Sequence, residues 1–127
     1  MARQCLASLP MSSDRLGILL ISGDAVRTHY AFVVAAGAAA IGRAVTLFAT
    51  GEGCRALLAV PGRLSPTPGV AGLLELRDAA RELGVRMIAC EAGLRMSGID
   101  GPLAEAVEVA GIVTFLEATQ GGQVITL

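Results

Sequence analysis

A three-layer α/β/α domain on about five mostly parallel strands is the fold class this sequence predicts. Three observations predict it. Short apolar runs alternate with helical patterns from one end of the chain to the other. The runs are continuously apolar rather than alternating, as strands covered on both faces read. Between two of them, Val70 to Leu83 repeats apolar and charged residues with the period of an amphipathic helix.

The elements follow in order. Residues 1–14 read as a flexible leader ending in Ser12, Ser13 and Asp14, and residues 15–127 as a single domain. Leu16 to Ser22 is the first buried strand. Ser22-Gly23-Asp24 is a turn with two candidate helix caps. Ala25 to Ile41 is a long helix whose second half is almost wholly Ala, Val, Gly and Ile, and so is expected to be buried all round, either in the core or in a subunit contact. Ala44 to Ala49 is the second strand. Thr50 to Cys54 turns into a short helical piece, Arg55 to Leu58. Pro61, Pro66 and Pro68, with their glycines, mark a loop of roughly ten residues, long for a compact domain.

In the helix Val70 to Leu83, Leu73, Leu76, Ala80 and Leu83 face the core, while Glu75, Arg77, Asp78, Arg81 and Glu82 face water. Gly84 ends it. Arg86 to Ala89 belong to the third strand, followed by a turn at Cys90 and a short helix closed by Gly98. Asp100-Gly101-Pro102 starts another short helix, with Pro in its first turn. Val107 to Val109 is a brief strand. Ile112 to Thr119 is a helix with Phe115 and Leu116 inward. Gln123 to Leu127 is the last strand.

Composition excludes several classes of function. The chain has 127 residues, 54% hydrophobic and 17% charged, so a single folded domain is expected rather than disorder. Net charge is −1 and the basic residues are scattered arginines, so no clustered basic face marks a nucleic-acid partner. The longest apolar run, Tyr30 to Gly42, is about 13 residues, short of the roughly 20 that span a bilayer. No secretory signal pattern opens the chain, and the cytoplasm is the expected compartment. Cys5, Cys54 and Cys90 are odd in number, with no CxxC spacing, and there is one His; neither a disulfide framework nor a metal site is expected. Neither GxGxxG nor GxxxxGK[ST] occurs, so a nucleotide site is disfavoured.

Cys90 is the leading candidate for chemistry. In an open parallel sheet, reactive groups gather where strand carboxyl ends meet helix amino ends. A thiol there faces unpaired backbone N–H groups and a positive helix end, and both favour the nucleophilic thiolate. The neighbouring Glu91 works against that charge, and Arg95 offsets it if its side chain turns back. The competing reading is a buried structural thiol, common for free Cys. Three strand-end turns converge on the same rim and bring accessory candidates. Cys54 would be a second thiol, or a residue that simply fits a turn. His29 would be a base for Cys90, or a satisfied helix residue. Asp24 is first a helix cap and second a rim carboxylate.

The strand ending at Ala89-Cys90, followed by Leu94-Arg-Met96-Ser-Gly98-Ile99 and the tail Val109 to Leu116, resembles the DsrE/DsrF-like family of small sulfur-relay proteins. The similarity runs from about Leu16 to Leu127. The chain departs from the family's Met-rich helix after the Cys, where Glu91-Ala-Gly-Leu94 stands, and Ser97 interrupts the Met-Gly step. The resemblance implies a flavodoxin-like domain assembling into trimers or hexamers. It also implies that Cys90 carries sulfur as a persulfide between donor and acceptor thiol proteins, without metal or organic cofactor. Cys90 alone matches the sulfur-carrying position. Peroxidase activity is not carried over, because the Pro-x-x-x-Thr-x-x-Cys arrangement is missing. The rival readings are a non-catalytic oligomeric module that binds a small ligand or protein and keeps Cys90 as a structural thiol, and a redox sensor using a Cys54–Cys90 disulfide.

Overall fold

The computed structural model describes residues 14–61 and 68–127. Five strands form one parallel sheet: β1 (Arg15–Leu20), β2 (Ala44–Ala49), β3 (Arg86–Cys90), β4 (Glu108–Ala110) and β5 (Gln123–Thr126), in the order β4-β3-β2-β1-β5. The helices are α1 (Ala25–Ala40), α2 (Leu73–Glu82), α3 (Glu91–Met96) and α4 (Ile112–Thr119), with a 3₁₀ helix at Gly51–Leu57. The architecture is the expected flavodoxin-like α/β sheet with helices.

The strand order fixes which face each helix covers. The first three connections step outward from β1 to β4, and the fourth returns past three strands to the far side of β1. Parallel crossovers are right-handed, so reversing direction moves the connecting helix to the other face. Helices α1 and α2 therefore share one face and α4 takes the opposite one.

Side chains along each strand alternate between these faces. Leu16, Ile18 and Leu20 of β1, Val45, Leu47 and Ala49 of β2, and Met87 and Ala89 of β3 join Ala31, Phe32, Ala35 and Ala38 of α1 in the larger core. Phe48, Ile88, Cys90 and Phe115 form a smaller second core, edged by Leu19 and Ala110. Gly17 lets α4 settle on β1: a Cβ there would lie 2.5 Å from Thr119 Cγ2 and 2.8 Å from Phe115 Cζ.

Several expectations are corrected. Within one chain the second half of α1 is not buried all round. Ala35 and Ala38 face the core, while Val33, Gly37, Ala40 and Ile41 are exposed, because α1 has the sheet and α2 on one side only. Helix α2 begins at Leu73, three residues later than expected, with Gly72 as its cap. Its Arg77 is buried rather than solvated: Nη1 donates to Ala56 O at 2.9 Å and Leu58 O at 2.7 Å, so backbone carbonyls replace the lost water. Leu83 is exposed rather than facing the core. No helix starts at Asp100. Leu103 instead forms an antiparallel bridge with Leu58, and Ala59 N and Ala104 N donate to Pro102 O and Leu57 O, spending the backbone groups a helix would need. Leu116 points outward and is 55% exposed, since Phe115 alone fills the inward position on that turn of α4. Residues 1–13, which fall in the expected leader and include Cys5, and residues 62–67 of the proline-rich loop lie outside the described residues.

Candidate active site at the carboxyl end of β3

A run of Met87, Ile88 and Ala89, buried on both faces, carries the chain to the carboxyl edge of the sheet, where it leaves β3 at Cys90. Cys90 keeps an extended backbone (φ −70°, ψ 121°) and caps α3. The first N–H groups of any helix lack intrahelical acceptors, and a side-chain acceptor at the cap satisfies one of them. Here that acceptor is sulfur: Gly93 N donates to Cys90 Sγ at 3.4 Å. Strand alternation points the Cys90 side chain to the α4 face, among Phe48, Ile88 and Phe115, where the residue is 8% exposed.

The three strand-end turns meet on this edge, as the sequence predicts. Thr50 N donates to Leu20 O at 2.9 Å and Gly53 N to Ile21 O at 3.0 Å, tying the turn after β2 to the end of β1. Gly93 of α3 lies against Thr50 and Gly51, tying the turn after β3 to the same corner.

The accessory candidates separate. Cys54 sits beneath the corner, fully buried in the larger core, and its Sγ donates to Ala49 O at 3.3 Å. Burial pushes its thiol up to about 11, with the Cys90 backbone N–H pulling the other way. Both cysteines are free and belong to different cores, yet they are neighbours: the Cys90 N–H reaches the Cys54 thiol, and a negative charge on Cys90 pushes that thiol further up. Asp24 caps α1, its Oδ2 accepting from Arg27 N at 3.0 Å, while Ser22 Oγ accepts from Asp24 N at 2.9 Å. His29 is on α1, stacked edge-on against Tyr30 with ring centroids 5.2 Å apart, and α1 covers the face away from the Cys90 side chain. Glu91 is exposed and paired with Arg95, whose Nη2 lies 3.0 Å from Glu91 Oε1. The carboxylate next to the thiol is thus matched by a guanidinium one turn on, as the sequence reading anticipates.

Sequence reasoning missed two parts of the site. One is the Phe48–Phe115 pair over the second core. The other is Gly93, whose signal was present: a cap residue followed three positions later by glycine, the position whose N–H a cap accepts. Among the described residues no group of three or more His, Cys, Asp or Glu could hold a metal ion. No helix among them is long and apolar enough to cross a membrane.

The chain is thus a small α/β protein whose parallel sheet presents a helix-capping thiol at the carboxyl end of an interior strand. A family model described as DsrE/DsrF-like family matches residues 15–127, and the chain belongs to that family. Membership suggests sulfur relay as the general setting of its chemistry. A search of curated proteins gave no match.

Proposed function

We propose that this protein is a cytoplasmic sulfurtransferase of the carrier type, relaying sulfane sulfur as a persulfide on Cys90. The Cys90 thiolate attacks the terminal sulfur of a donor persulfide, R–S–SH. A new S–S bond forms at Cys90 Sγ, the donor S–S bond breaks, and R–S⁻ leaves. An acceptor thiolate then attacks the outer sulfur of Cys90–S–SH and restores the Cys90 thiolate. Atoms and charge balance in both steps, and no metal or organic cofactor takes part.

The observation that carries this reading is the Gly93 N–H on the Cys90 sulfur in a chain of this family. A hydrogen bond from a backbone amide stabilises a charged sulfur more than a neutral one. Cysteine is also absent from the preferred caps, which are Ser, Thr, Asp and Asn. A thiol at this cap is better explained by its chemistry than by helix stability.

The 8% exposure of Cys90 favours a second reading, a ligand- or protein-binding module in which the thiol is structural. The two readings part on mass spectrometry of the intact protein after incubation with a persulfide donor. The carrier gains one sulfur mass, loses it to reductant, and shows neither in Cys90→Ser. No adduct, or the same adduct in Cys90→Ser, removes Cys90 as the carrier and leaves the binding module.

A further inference from the structure

We propose that Gly93 is a positioning residue for Cys90, and that the Thr50–Gly51 turn is the surface that holds it in place. The inference rests on reading Cys90 as the nucleophile.

The geometry is a short relay of contacts. Gly93 is buried at the third position of α3, so its N–H is one of the first-turn groups that have no acceptor inside the helix. The Cys90 sulfur, 3.4 Å away, supplies one. Its other side is pressed against the turn after β2. A Cβ on Gly93 would lie 2.5 Å from Thr50 Oγ1, 2.6 Å from Gly51 N and 3.0 Å from Thr50 Cα. Two of those three atoms are backbone and cannot rotate aside. Thr50 is itself held by its N–H to Leu20 O at 2.9 Å, and Gly51–Leu57 follows as a 3₁₀ helix anchored by its own buried residues Gly53, Cys54, Ala56 and Leu57. Any side chain on residue 93 therefore moves α3 rather than the turn. Moving α3 withdraws the Gly93 N–H from the sulfur. Glycine is needed here for close approach, not for an unusual φ.

Gly93→Ala is expected to slow alkylation of Cys90 by iodoacetamide about 10- to 100-fold per folded molecule, the effect of losing one hydrogen bond to a charged acceptor. Gly122→Ala is the control. A Cβ there would collide with the Arg15 backbone at the amino-terminal edge of the sheet, so it strains the fold away from Cys90 and is expected to react at the wild-type rate. Equal rates in Gly93→Ala and wild type, or equal slowing in both variants, overturn the proposal.

Amide hydrogen exchange gives a second readout that does not need Gly93→Ala to fold. Cys90→Ala is expected to speed exchange at the Gly93 amide about 5- to 10-fold, while Cys90→Ser, which restores an acceptor, keeps it slow. Unchanged Gly93 exchange in Cys90→Ala overturns the proposal. Alkylation reads the thiol without any sulfur donor, so the two ideas fail separately. A wild-type Cys90 silent to iodoacetamide removes the carrier reading and this inference with it. A reactive Cys90 indifferent to residue 93 removes the inference alone.

Discussion

Phe115 of α4 meets Phe48 of β2 with ring centroids 5.2 Å apart and planes tilted by 34°, and both rings share the second core with Cys90. This core is small, so each member carries a large share of it. Phe115→Ala is expected to cost about 3–5 kcal/mol in urea unfolding, the usual range for a buried Phe cut to Ala. It also removes apolar cover from the Cys90 side of the sheet. Alkylation of native Cys90 should therefore rise, while Cys54, in the other core, stays unreactive. Equal labelling of both cysteines would show global opening instead of local uncovering.

Cys54 gives the fold a defined sensitivity to alkali. Its thiol is pushed from 9.0 to about 11 by burial, so the folded state holds the proton more tightly than the unfolded state does. The stabilisation is fully present below about pH 9, where both states are protonated. It declines as pH rises from there and is lost once pH passes about 11. A shift of that size is worth on the order of 2–3 kcal/mol. Cys54→Ala removes the effect. The difference in unfolding free energy between wild type and Cys54→Ala should be flat from pH 7 to 8.5 and shrink steadily between pH 9 and 11. A difference that stays constant across that range contradicts the linkage.

The parts of this fold that could be read in the chain are those set by local pattern. Strand β2 runs from Ala44 to Ala49 and helix α4 from Ile112 to Thr119, both as the sequence predicts, because turn residues bound each and mark its ends in the local sequence. Cys90 was legible for the same reason, as the residue where an apolar run stops. Arg77 was not. A charged residue on an amphipathic helix reads as solvated, and what buries it is a pair of carbonyls, at Ala56 and Leu58, on another element. The segment after Asp100 carries a helix-start signal in Pro102, yet its backbone pairs with residues 57–59, a choice only tertiary structure makes. Gly93 belongs with these. Its cap position was local, but the contact with Thr50 that makes glycine necessary joins turns about forty residues apart, beyond the reach of any periodicity.

Helix α1 leads to the last prediction. Its inner face is spent on the core through Ala31, Phe32, Ala35 and Ala38. Its outer face carries Val26, Tyr30, Val33 and Gly37, with Ile41 following at 79% exposure. The spacings of four, three, four and four residues set these on one stripe, the arrangement of a helix that packs against another helix. The stripe holds no charge, and Gly37 has nothing within 4 Å of where a Cβ would stand, so a second backbone can come close. We expect this face to bury itself against another copy of the chain. Val33→Asp and Ile41→Asp place carboxylates on the stripe without touching the inner core. Light scattering after size exclusion should show each variant at lower mass than wild type, with an unchanged far-ultraviolet circular dichroism spectrum. Both variants retaining the wild-type mass would show that α1 is not the subunit contact and would send the search to the exposed Val113 and Leu116 of α4.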